Sequence, residues 1–337
     1  MKILMTGLDY KSSELSVREK FAVTKEKAKN VMKAYMDLPF VEGCVIIFTC
    51  NRTEVYISVS IEDCDQFNIA EFLCRTLDLE ADEYIPHFTE RDERETFFHL
   101  CRVAAGIDSQ ILGDDQIITQ VRESLESSRE NGFTDGYTEK IFGTAIKAAK
   151  EIKTNMTVRS TRAASAPYKA VEKIKSLAPI TGKKAVVIGN GQMGRLTAEL
   201  LLSESAHVTI TLREYKKGVI QIPDGANTIG YSKKYDVTET ANIVVSATTS
   251  PHYTLHYDDF IKLKNMPEIV IDLSVPRDVE PKIGELPGVN LFTIDDLGDE
   301  DSSLSEEKII LAEQIIEKNM QDYYKWRKYK ESMRWSK

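Results

Sequence analysis

Apolar and polar positions in the first part of the chain follow two periods, which predict a mixture of strands and helices. Short apolar runs predict strands at 2–7, 45–48 and 55–59. The polar segment Thr49–Glu54 lies between the last two runs and is predicted to be a turn. Thr24 is the predicted N-cap of a helix at 25–36. Apolar residues at helical spacing predict further helices at 67–77, 91–105, 116–129 and 138–153.

From Thr181 the pattern changes to short β-branched runs that alternate with helices. These runs predict strands at 185–188, 208–212, 243–247 and 269–273. Strands that alternate with helices are typical of a doubly wound parallel sheet. From about Ser302 one long charged helix is predicted, with an apolar stripe at Ile309, Ile310, Ala312, Ile315 and Ile316. The predicted fold class is α/β, with an α+β catalytic domain at 1–155, a Rossmann domain at 156–298 and a C-terminal helix at 299–337.

Composition excludes several classes of protein. A length of 337 residues predicts about two domains at ~150 residues each. With 42% hydrophobic and 29% charged residues, the chain is neither disordered nor fibrous. No apolar stretch reaches the ~18 residues of a membrane span, and no export signal is recognisable. The five cysteines all precede residue 102 and lack CxxC spacing, which argues against a disulfide framework or a zinc site. We therefore expect a cytoplasmic protein with reduced thiols.

Charge is unevenly distributed along the chain. The formal net charge is −9, yet residues 140–184 contain eleven Lys or Arg and two Glu, a local excess of +9. Two interpretations are open at this point. The segment is either a solvated basic helix face or a surface that meets a polyanion.

The segment 189–194 reads Gly-Asn-Gly-Gln-Met-Gly and follows a predicted strand. A GxGxxG sequence that opens a helix in this context is typical of dinucleotide binding, because glycines let the backbone approach a pyrophosphate and the helix N-terminus supplies free N–H groups. A tight turn without a ligand is the alternative. The predicted cofactor-binding residues are Gly189, Asn190, Gly191, Gln192, Met193 and Gly194.

Arg213 stands 19 residues after Gly194, where the second strand of a dinucleotide fold ends. An acidic residue there would bind a ribose hydroxyl, whereas an arginine can meet a 2′-phosphate. Arg213 therefore favours NADPH, although Glu214 is its direct neighbour.

Cys50 is the candidate nucleophile. It lies in the predicted polar turn, two residues before Arg52, and a nearby guanidinium favours the reactive thiolate. The other four cysteines lie in apolar or helical contexts and are predicted to be small buried side chains. A thiol combined with a nicotinamide suggests that the thiolate forms a thioester with an activated acyl group and that hydride reduces it to an aldehyde.

The chain resembles the glutamyl-tRNA reductase family. The resemblance rests on the segment 48–56, which reads FTCNRTEVY, on RVAAGIDS at 102–109 with QILG at 110–113, on the GxGxxG sequence, and on DLSVPRD at 272–278. It implies NADPH-dependent reduction of the glutamyl ester of tRNA to glutamate-1-semialdehyde, the first committed step of C5 tetrapyrrole synthesis.

The same resemblance implies roles for single residues. Cys50 is the nucleophile, and His99 is a catalytic residue that gives or takes a proton; a buried helix histidine is the alternative for His99. Arg52 could meet the γ-carboxylate with two bonds. No metal is implied. The implied substrate-binding residues are Thr49, Asn51, Arg52, Ser109, Asp114, Asp115, Gln116 and Gln120.

Departures from the family pattern qualify these implications. Gly113-Asp114-Asp115-Gln116 replaces the usual Gly-Glu-Pro-Gln, and the segment after Arg159 looks short. Family members usually continue into a dimerisation domain, and we expect this chain to be without it. The apolar stripe of the C-terminal helix leaves a homodimer through that helix as an alternative. We also expect the basic segment to bind tRNA and the labile aldehyde to pass to an aminomutase.

Two other functions remain open on the sequence alone. The second unit by itself would fit an NADP enzyme of the shikimate-dehydrogenase type, which would leave Cys50 without a role. The altered pocket and the shortened C-terminus would fit a regulatory paralogue without turnover.

Overall fold

The computed structural model describes residues 1–60, 67–110, 116–155, 165–213, 221–297 and 306–334. The chain divides into two units, one formed by Met1–Ser160 with Glu300–Lys337 and the other by Thr161–Asp299. The C-terminal segment therefore belongs to the same unit as the N-terminus. None of the helices in the described ranges has the length and apolar character needed to cross a membrane.

The first unit contains an antiparallel sheet covered by helices on both faces. Its strands are β1 (Lys2–Asp9), β2 (Val41–Phe48), β3 (Arg52–Val59) and β4 (Thr89–Arg91). Its helices are α1 (Leu15–Phe21), α2 (Lys25–Met36), α3 (Ile69–Thr76), α4 (Ala81–Tyr84), α5 (Glu93–Ala105), α6 (Gln116–Glu130), α7 (Gly136–Asn155) and α12 (Glu306–Arg334). The strand order is β2-β3-β1-β4. The predicted strands and helices of this unit are confirmed, and β4 is an additional edge strand.

Alternate side chains of the sheet enter two different cores. Ile47 and Tyr56 contact the core formed with α5, α6, α7 and α12, whereas Ile46 and Ile57 contact the core formed with α2 and α3. Successive side chains of a strand point to opposite faces of the sheet, so every second residue lies on the same face. Residues 52, 54 and 56 therefore lie on the face of β3 that meets α5.

Local capping fixes the bounds of α5, which bears His99. The Asp92 side chain accepts a hydrogen bond from the Glu95 N–H at 2.9 Å, so that the helix begins directly after Asp92. Gly106 ends the helix in the left-handed conformation with φ 76°, and the N–H of Ile107 bonds the carbonyl of Arg102. The chain then reverses direction. Asp108 therefore lies beside α5, where it contacts Arg102.

Helix α12 packs on the first unit instead of leaving one face free. Ala312, Ile315 and Ile316 are buried in the same core as residues of α5 and α7. These three residues form most of the apolar stripe that we considered for a homodimer, so they are occupied within the chain. Ile310, at 48% exposure, is the stripe residue that remains most accessible. The predicted start near Ser302 lies outside the described residues.

The second unit is a parallel sheet with helices. Its strands are β5 (Lys184–Ile188), β6 (His207–Leu212), β7 (Asn227–Gly230), β8 (Ile243–Ser246), β9 (Ile269–Asp272) and β10 (Asn290–Thr293). Its helices are α8 (Ala166–Leu177), α9 (Gln192–Ser203), α10 (Lys234–Thr238) and α11 (Tyr257–Phe260). The order is β10-β9-β8-β5-β6-β7, with every pairing parallel.

This strand order is that of a dinucleotide-binding fold. Counted from β5 as the first strand, it reads 3-2-1-4-5-6, in which the direction of winding reverses beside the first strand. Ligands of such sheets bind at the carboxyl ends of the strands next to that reversal. The predicted doubly wound sheet is confirmed, and β7 and β10 are the two edge strands that the apolar runs did not reveal.

Candidate active site

Cys50 lies at the tip of the hairpin that joins β2 to β3. The N–H of Thr49 bonds the carbonyl of Arg52 at 2.9 Å, and the Thr49 side-chain oxygen accepts hydrogen bonds from the N–H groups of Asn51 and Arg52. These bonds leave Cys50 and Asn51 as a two-residue loop, in which the Cys50 thiol is half-buried. The turn is shorter than predicted, because residues 52–54 already belong to β3.

Arg52, Glu54 and Tyr56 form one buried polar row along β3, and His99 of α5 meets it. One oxygen of Glu54, Oε1, accepts hydrogen bonds from Arg52 Nη1 and from His99 Nε2, both at 2.7 Å. The other oxygen, Oε2, accepts from the Tyr56 hydroxyl at 2.7 Å. Glu54 thereby links the strand that follows Cys50 to the helix that bears His99.

The Glu54 carboxylate is stabilised as an anion in spite of its burial. The side chains of Glu54 and Arg52 are 2% and 1% exposed. Burial alone would raise the pKa of Glu54. The charges of His99 and Arg52 and the hydrogen bonds from His99 and Tyr56 outweigh burial and hold the pKa of Glu54 well below its ordinary value. The pKa of Arg52 is raised because the pairing with Glu54 outweighs its own desolvation.

A second ion cluster flanks the other side of His99. Asp108 accepts two hydrogen bonds from Arg102, at 3.0 and 3.1 Å, and its Oδ1 lies 3.4 Å from Lys11 Nζ. Burial would raise the pKa of Asp108, but the Arg102 hydrogen bonds and charge lower it. His99 Nδ1 lies 3.9 Å from Asp108 Oδ2, and Arg52 Nη2 donates to the Asp108 carbonyl.

His99 borders a cavity of about 470 Å³ between α5, β4 and the loop after β1. Its lining is of mixed charge, with the cations Lys11, Arg91 and Arg102 and the carboxylates Asp9, Glu90, Glu95 and Asp108. A neighbouring cavity of about 170 Å³ shares several lining residues and reaches Glu54. The His99 ring, although 7% exposed, thus borders open space on one side and a fixed anion on the other.

The remaining predicted substrate residues do not all lie in one place. Ser109 directly follows Asp108, and Gln116 begins α6. Gln120 lines a separate groove of about 460 Å³ with Phe48, two residues before Cys50. Asp114 and Asp115 lie outside the described residues. The buried Asn51 Oδ1 has no hydrogen-bond partner within the described part of the chain.

The guanidinium of Arg52 is not exposed to solvent, as direct binding of a substrate carboxylate would require. Its Nη1 and Nη2 bond Glu54 and the Asp108 carbonyl, and its side chain is almost fully buried. A two-pronged contact with the γ-carboxylate would require these bonds to rearrange. Its role in binding that carboxylate stays a prediction.

The glycine-rich loop of the second unit has the geometry of a phosphate cradle. Gly189 has φ 107°, and a Cβ there would lie 2.5 Å from the Ala247 carbonyl oxygen. A Cβ on Gly194 would lie 2.1 Å from the Gly189 carbonyl oxygen, whereas a Cβ on Gly191 would meet nothing within 4 Å. Two glycines are therefore required by the fold, and the third faces open space at the start of α9. Asn190 Oδ1 is buried without a described partner beside it.

Arg213 follows β6 directly and is exposed. Its guanidinium carbon lies 5.8 Å from the centroid of the Tyr231 ring, and Lys234 Nζ lies 4.5 Å from the same centroid. Two cations therefore surround one aromatic ring close to the end of the second strand. Such a group suits an adenosine with a 2′-phosphate. Gln192 and Met193 form the first turn of α9, and Glu214 lies outside the described residues.

A buried polar cluster joins the carboxyl ends of β8 and β9. Asp278 accepts hydrogen bonds from the hydroxyls of Ser246, Ser274 and Thr248 at 2.6 to 2.7 Å, and from the Thr248 N–H at 2.9 Å. Burial, and then the charge of Asp278, raise the pKa of Asp272 to about 8. This cluster fixes the loops at the edge of the sheet where cofactors bind.

The basic segment is divided between the two units. Lys147 and Lys150 of α7 are exposed, but Lys175 of α8 is paired with Glu172 and Glu204. Arg159 and Arg162 lie outside the described residues. The excess of positive charge on exposed surface is thus smaller than the residue count suggests.

Glu54, Arg102 and Asp108 are the site residues that sequence reasoning did not assign. The signal for Glu54 was the alternation Arg52-x-Glu54-x-Tyr56 on a strand, which places all three side chains on one face. For Arg102 and Asp108 the signal was Gly106 between them, which is typical of a helix end that turns back.

Comparisons with known proteins find a related family for each unit. Residues 6–156 match the family described as glutamyl-tRNAGlu reductase, N-terminal domain, and residues 170–300 match shikimate / quinate 5-dehydrogenase. The glutamyl-tRNA reductase of Alkaliphilus oremlandii is 40% identical over 334 residues, and that of Acetivibrio thermocellus is 40% identical over 335 residues; each alignment covers 99% of both chains. A solved glutamyl-tRNA reductase from Methanopyrus kandleri is 25% identical with a TM-score of 0.49, covering 99% of this chain and 82% of that one.

Proposed function

This chain belongs to the glutamyl-tRNA reductase family, and from that premise we propose that it reduces the glutamyl group of glutamyl-tRNA to glutamate-1-semialdehyde at the Cys50 thiol. This reaction is the first step of C5 tetrapyrrole synthesis. The observation that supports it most is the link between nucleophile and proton donor: Cys50 precedes Arg52 by two residues, and Arg52 and His99 bond the same oxygen of Glu54.

The described residues suit the first chemical step. The thiolate of Cys50 attacks the ester carbonyl, and the ester oxygen of the tRNA leaves with a proton. We assign that proton to His99, because Glu54 links its ring to the strand that follows Cys50 and the ring also borders open space. Asn51 Oδ1, beside Cys50, has no partner among the described residues, and an α-ammonium group would satisfy it.

A nicotinamide cofactor follows from the second unit, and we propose NADPH. The residues present fit the group, because Gly191 leaves open space at the helix N-terminus and Arg213 stands where a 2′-phosphate would lie. Gly189 and Gly194 hold the loop in shape, and Gly191 with the first N–H groups of α9 would receive the pyrophosphate. When bound, NADPH supplies the hydride that reduces the thioester.

The partners follow from the same premise. Glutamyl-tRNA is the substrate, and exposed lysines of α7 such as Lys147 and Lys150 are proposed to contact its phosphates. Transfer of the aldehyde to an aminomutase would protect a labile product. A homodimer would have to use surface other than the buried stripe of α12.

A Cys50→Ser variant tests the proposal. Wild-type protein incubated with radiolabelled glutamyl-tRNA and no NADPH should retain label as a hydroxylamine-sensitive thioester, and the variant should retain none. Cys74→Ser is the matched control, because burial raises the pKa of that thiol to about 11 and keeps it protonated. Semialdehyde formation by Cys50→Ser at the wild-type rate would refute the thioester route.

The two alternatives make different predictions for the same experiment. A shikimate-dehydrogenase-type enzyme would give no label on Cys50, and its likeness covers only residues 170–300. A regulatory paralogue could bind glutamyl-tRNA but would form neither thioester nor semialdehyde.

A further inference from the structure

Glu54 has no assigned role, yet it is a buried carboxylate to which side chains of two different elements donate. It is 1% exposed and accepts three hydrogen bonds of 2.7 Å, from Arg52 Nη1, His99 Nε2 and the Tyr56 hydroxyl. Two of these donors approach one oxygen from different elements, β3 and α5. Bonds this short to a carboxylate are typical of charge-assisted hydrogen bonds.

The Glu54 bonds determine which nitrogen of His99 bears a fixed hydrogen. An ionised carboxylate can only accept, so Nε2 of His99 must donate and must keep its hydrogen. The nitrogen free to gain or lose a proton is then Nδ1. Its closest charged neighbour is Asp108 Oδ2, at 3.9 Å, which is longer than a hydrogen bond. Asp108 is itself bonded twice by Arg102.

We propose that Glu54 is a positioning residue that holds His99 with Nε2 protonated, so that Nδ1 is the atom that delivers the proton consumed in each turnover. The inference rests on the proposed function, because it assigns the proton donor of that reaction. It adds the identity of the donating atom and of the side chain that fixes it. Glu54 acts through His99 and through Arg52 and does not touch the substrate.

The reaction needs one proton for each turnover. In the first step the Cys50 sulfur bonds the acyl carbon, the bond from that carbon to the tRNA oxygen breaks, and this oxygen takes the proton from His99 Nδ1. A bound NADPH would supply the hydride for the acyl carbon, after which the carbon–sulfur bond breaks, the aldehyde is released and the Cys50 thiolate is restored. Solvent reprotonates Nδ1. Glutamyl-tRNA, NADPH and one proton thus give semialdehyde, NADP⁺ and tRNA.

Several charged groups face His99 and shape its field. They come from β1 and the loop after it, from β3, from β4, from α5 and from the turn after α5, and they are Glu54, Arg52, Asp9, Lys11, Glu90, Arg91, Glu95, Arg102 and Asp108. Among these described residues, Glu54 hydrogen-bonds the ring directly. Its charge is therefore the one in direct contact with the imidazole.

Glu54→Gln and Glu54→Asp test the proposal, with Glu26→Gln as the control. Glutamine has the shape of glutamate but carries no charge. Aspartate keeps the negative charge, but its side chain is one methylene group shorter. Glu26 is an exposed carboxylate in the first turn of α2, so its variant loses the same charge elsewhere. Far-UV circular dichroism and resistance of the buried Cys44, Cys74 and Cys101 to a thiol reagent establish that each variant is folded.

The first readout is ¹⁵N NMR of histidine side chains, with the His99 signals identified by their loss in His99→Asn. At high pH the wild-type ring should show a protonated Nε2 and a bare Nδ1. In Glu54→Gln the neutral ring should no longer be confined to the form with hydrogen on Nε2, since the side-chain amide can donate as well as accept. Glu26→Gln should leave the tautomer unchanged.

The second readout is the pH profile of kcat. Glu54→Gln should lower kcat at neutral pH on the order of 100-fold, as loss of a general acid does, and shift its basic limb to lower pH. KM should change less than kcat, and Glu54→Asp should recover part of the loss. A merely structural role would instead reduce the amount of active protein without moving the profile.

The experiments test the proposal for Glu54 and the proposed function separately. A wild-type ring with hydrogen on Nδ1 and a bare Nε2, or an unchanged profile in Glu54→Gln, would overturn the proposal for Glu54. Absence of a Cys50 thioester in wild-type protein would instead overturn the proposed function. If Glu54→Gln does not fold, the wild-type tautomer alone still decides the proposal.

Discussion

Substitution of Gly191 by alanine separates a cofactor cradle from an ordinary tight turn. A Cβ at Gly191 meets no atom within 4 Å, and its backbone, with φ −79° and ψ −175°, is extended. Gly191→Ala should therefore leave the free protein as stable as wild type. If the open space receives a pyrophosphate, the methyl group must occupy it, and overpacking of this kind costs about 1–3 kcal/mol. We expect NADPH binding to weaken by about 5- to 150-fold.

Gly194→Ala is the matched comparison, because its Cβ would lie 2.1 Å from the Gly189 carbonyl oxygen. Real Cβ contacts essentially never fall under 3.0 Å, so the first turn of α9 and the strand end must separate by about 0.9 Å. This variant should lose both thermal stability and NADPH affinity. Gly143→Ala, in an exposed position of α7 with nothing within 4 Å, should stabilise slightly and leave binding unchanged.

Differential scanning fluorimetry with and without NADPH, followed by fluorescence titration of the reduced nicotinamide, measures both quantities on one preparation. The reasoning requires Gly191→Ala to melt with wild-type protein in the absence of cofactor and to lose most of the cofactor-induced rise in Tm. Wild-type NADPH affinity in Gly191→Ala would refute the assignment of this loop as the pyrophosphate site.

Four further predictions follow from described contacts. Arg213→Glu should lower kcat/KM for NADPH relative to NADH on the order of 10- to 100-fold, because a charge-assisted contact to phosphate is lost; an unchanged ratio would exclude this role. Arg52→Met should destabilise the protein by about 3–5 kcal/mol in urea unfolding, since it leaves the buried Glu54 charge without its guanidinium; a change within 1 kcal/mol would show that His99 and Tyr56 suffice. The pKa of Asp272 is raised to about 8 in the folded state, above an unfolded value of about 3.9, so Asp272 contributes most stability at low pH and loses it as pH rises from about 4 to about 8; Asp272→Asn should flatten this part of the Tm profile, and an identical slope would contradict the cause. The logarithm of tRNA affinity should fall linearly with the logarithm of salt concentration, with a slope of about −0.7 to −0.9 per phosphate contacted; a flat response would remove the proposed phosphate contacts.

The sequence alone predicted those elements whose capping residues and apolar pattern match the way in which the element is packed. Thr24 caps α2 as predicted, with its side chain accepting from the Lys27 N–H at 3.2 Å. The runs of β5, β6, β8 and β9 are largely buried between two layers of helices, and so apolar side chains occur on both faces of each strand.

The missed elements include the helices α1, α4 and α8 and three short edge strands. β4 is the three polar residues Thr89–Arg91, and β7 and β10 contribute four residues each at the outer edges of the parallel sheet. An edge strand is covered on fewer sides and therefore needs no apolar run. Its place is decided by pairing with a neighbour, which local pattern does not contain.

The buried charges of the site were misread for a different reason. Residues 52–54 read Arg-Thr-Glu, and a charged segment after a thiol resembles a solvent-exposed turn. Burial of Arg52 and Glu54 on a strand is possible because each neutralises the other and His99 approaches from α5. That partner is 45 residues distant, so no local signal could show it.

The return of α12 to the first unit has a consequence for biosynthesis of the chain. The core that holds α5 includes residues 312–323, whereas the nucleotide-binding sheet is complete once Thr293 has been made. As the chain leaves the ribosome, the inserted Rossmann unit can reach its native form first, and the helix that bears His99 acquires its last supporting layer only after α12 has emerged. A ribosome stalled so that β10 is outside the exit tunnel and α12 is still inside it should therefore display a nascent chain that already retains a nucleotide on an affinity matrix but does not yet resist protease around α5.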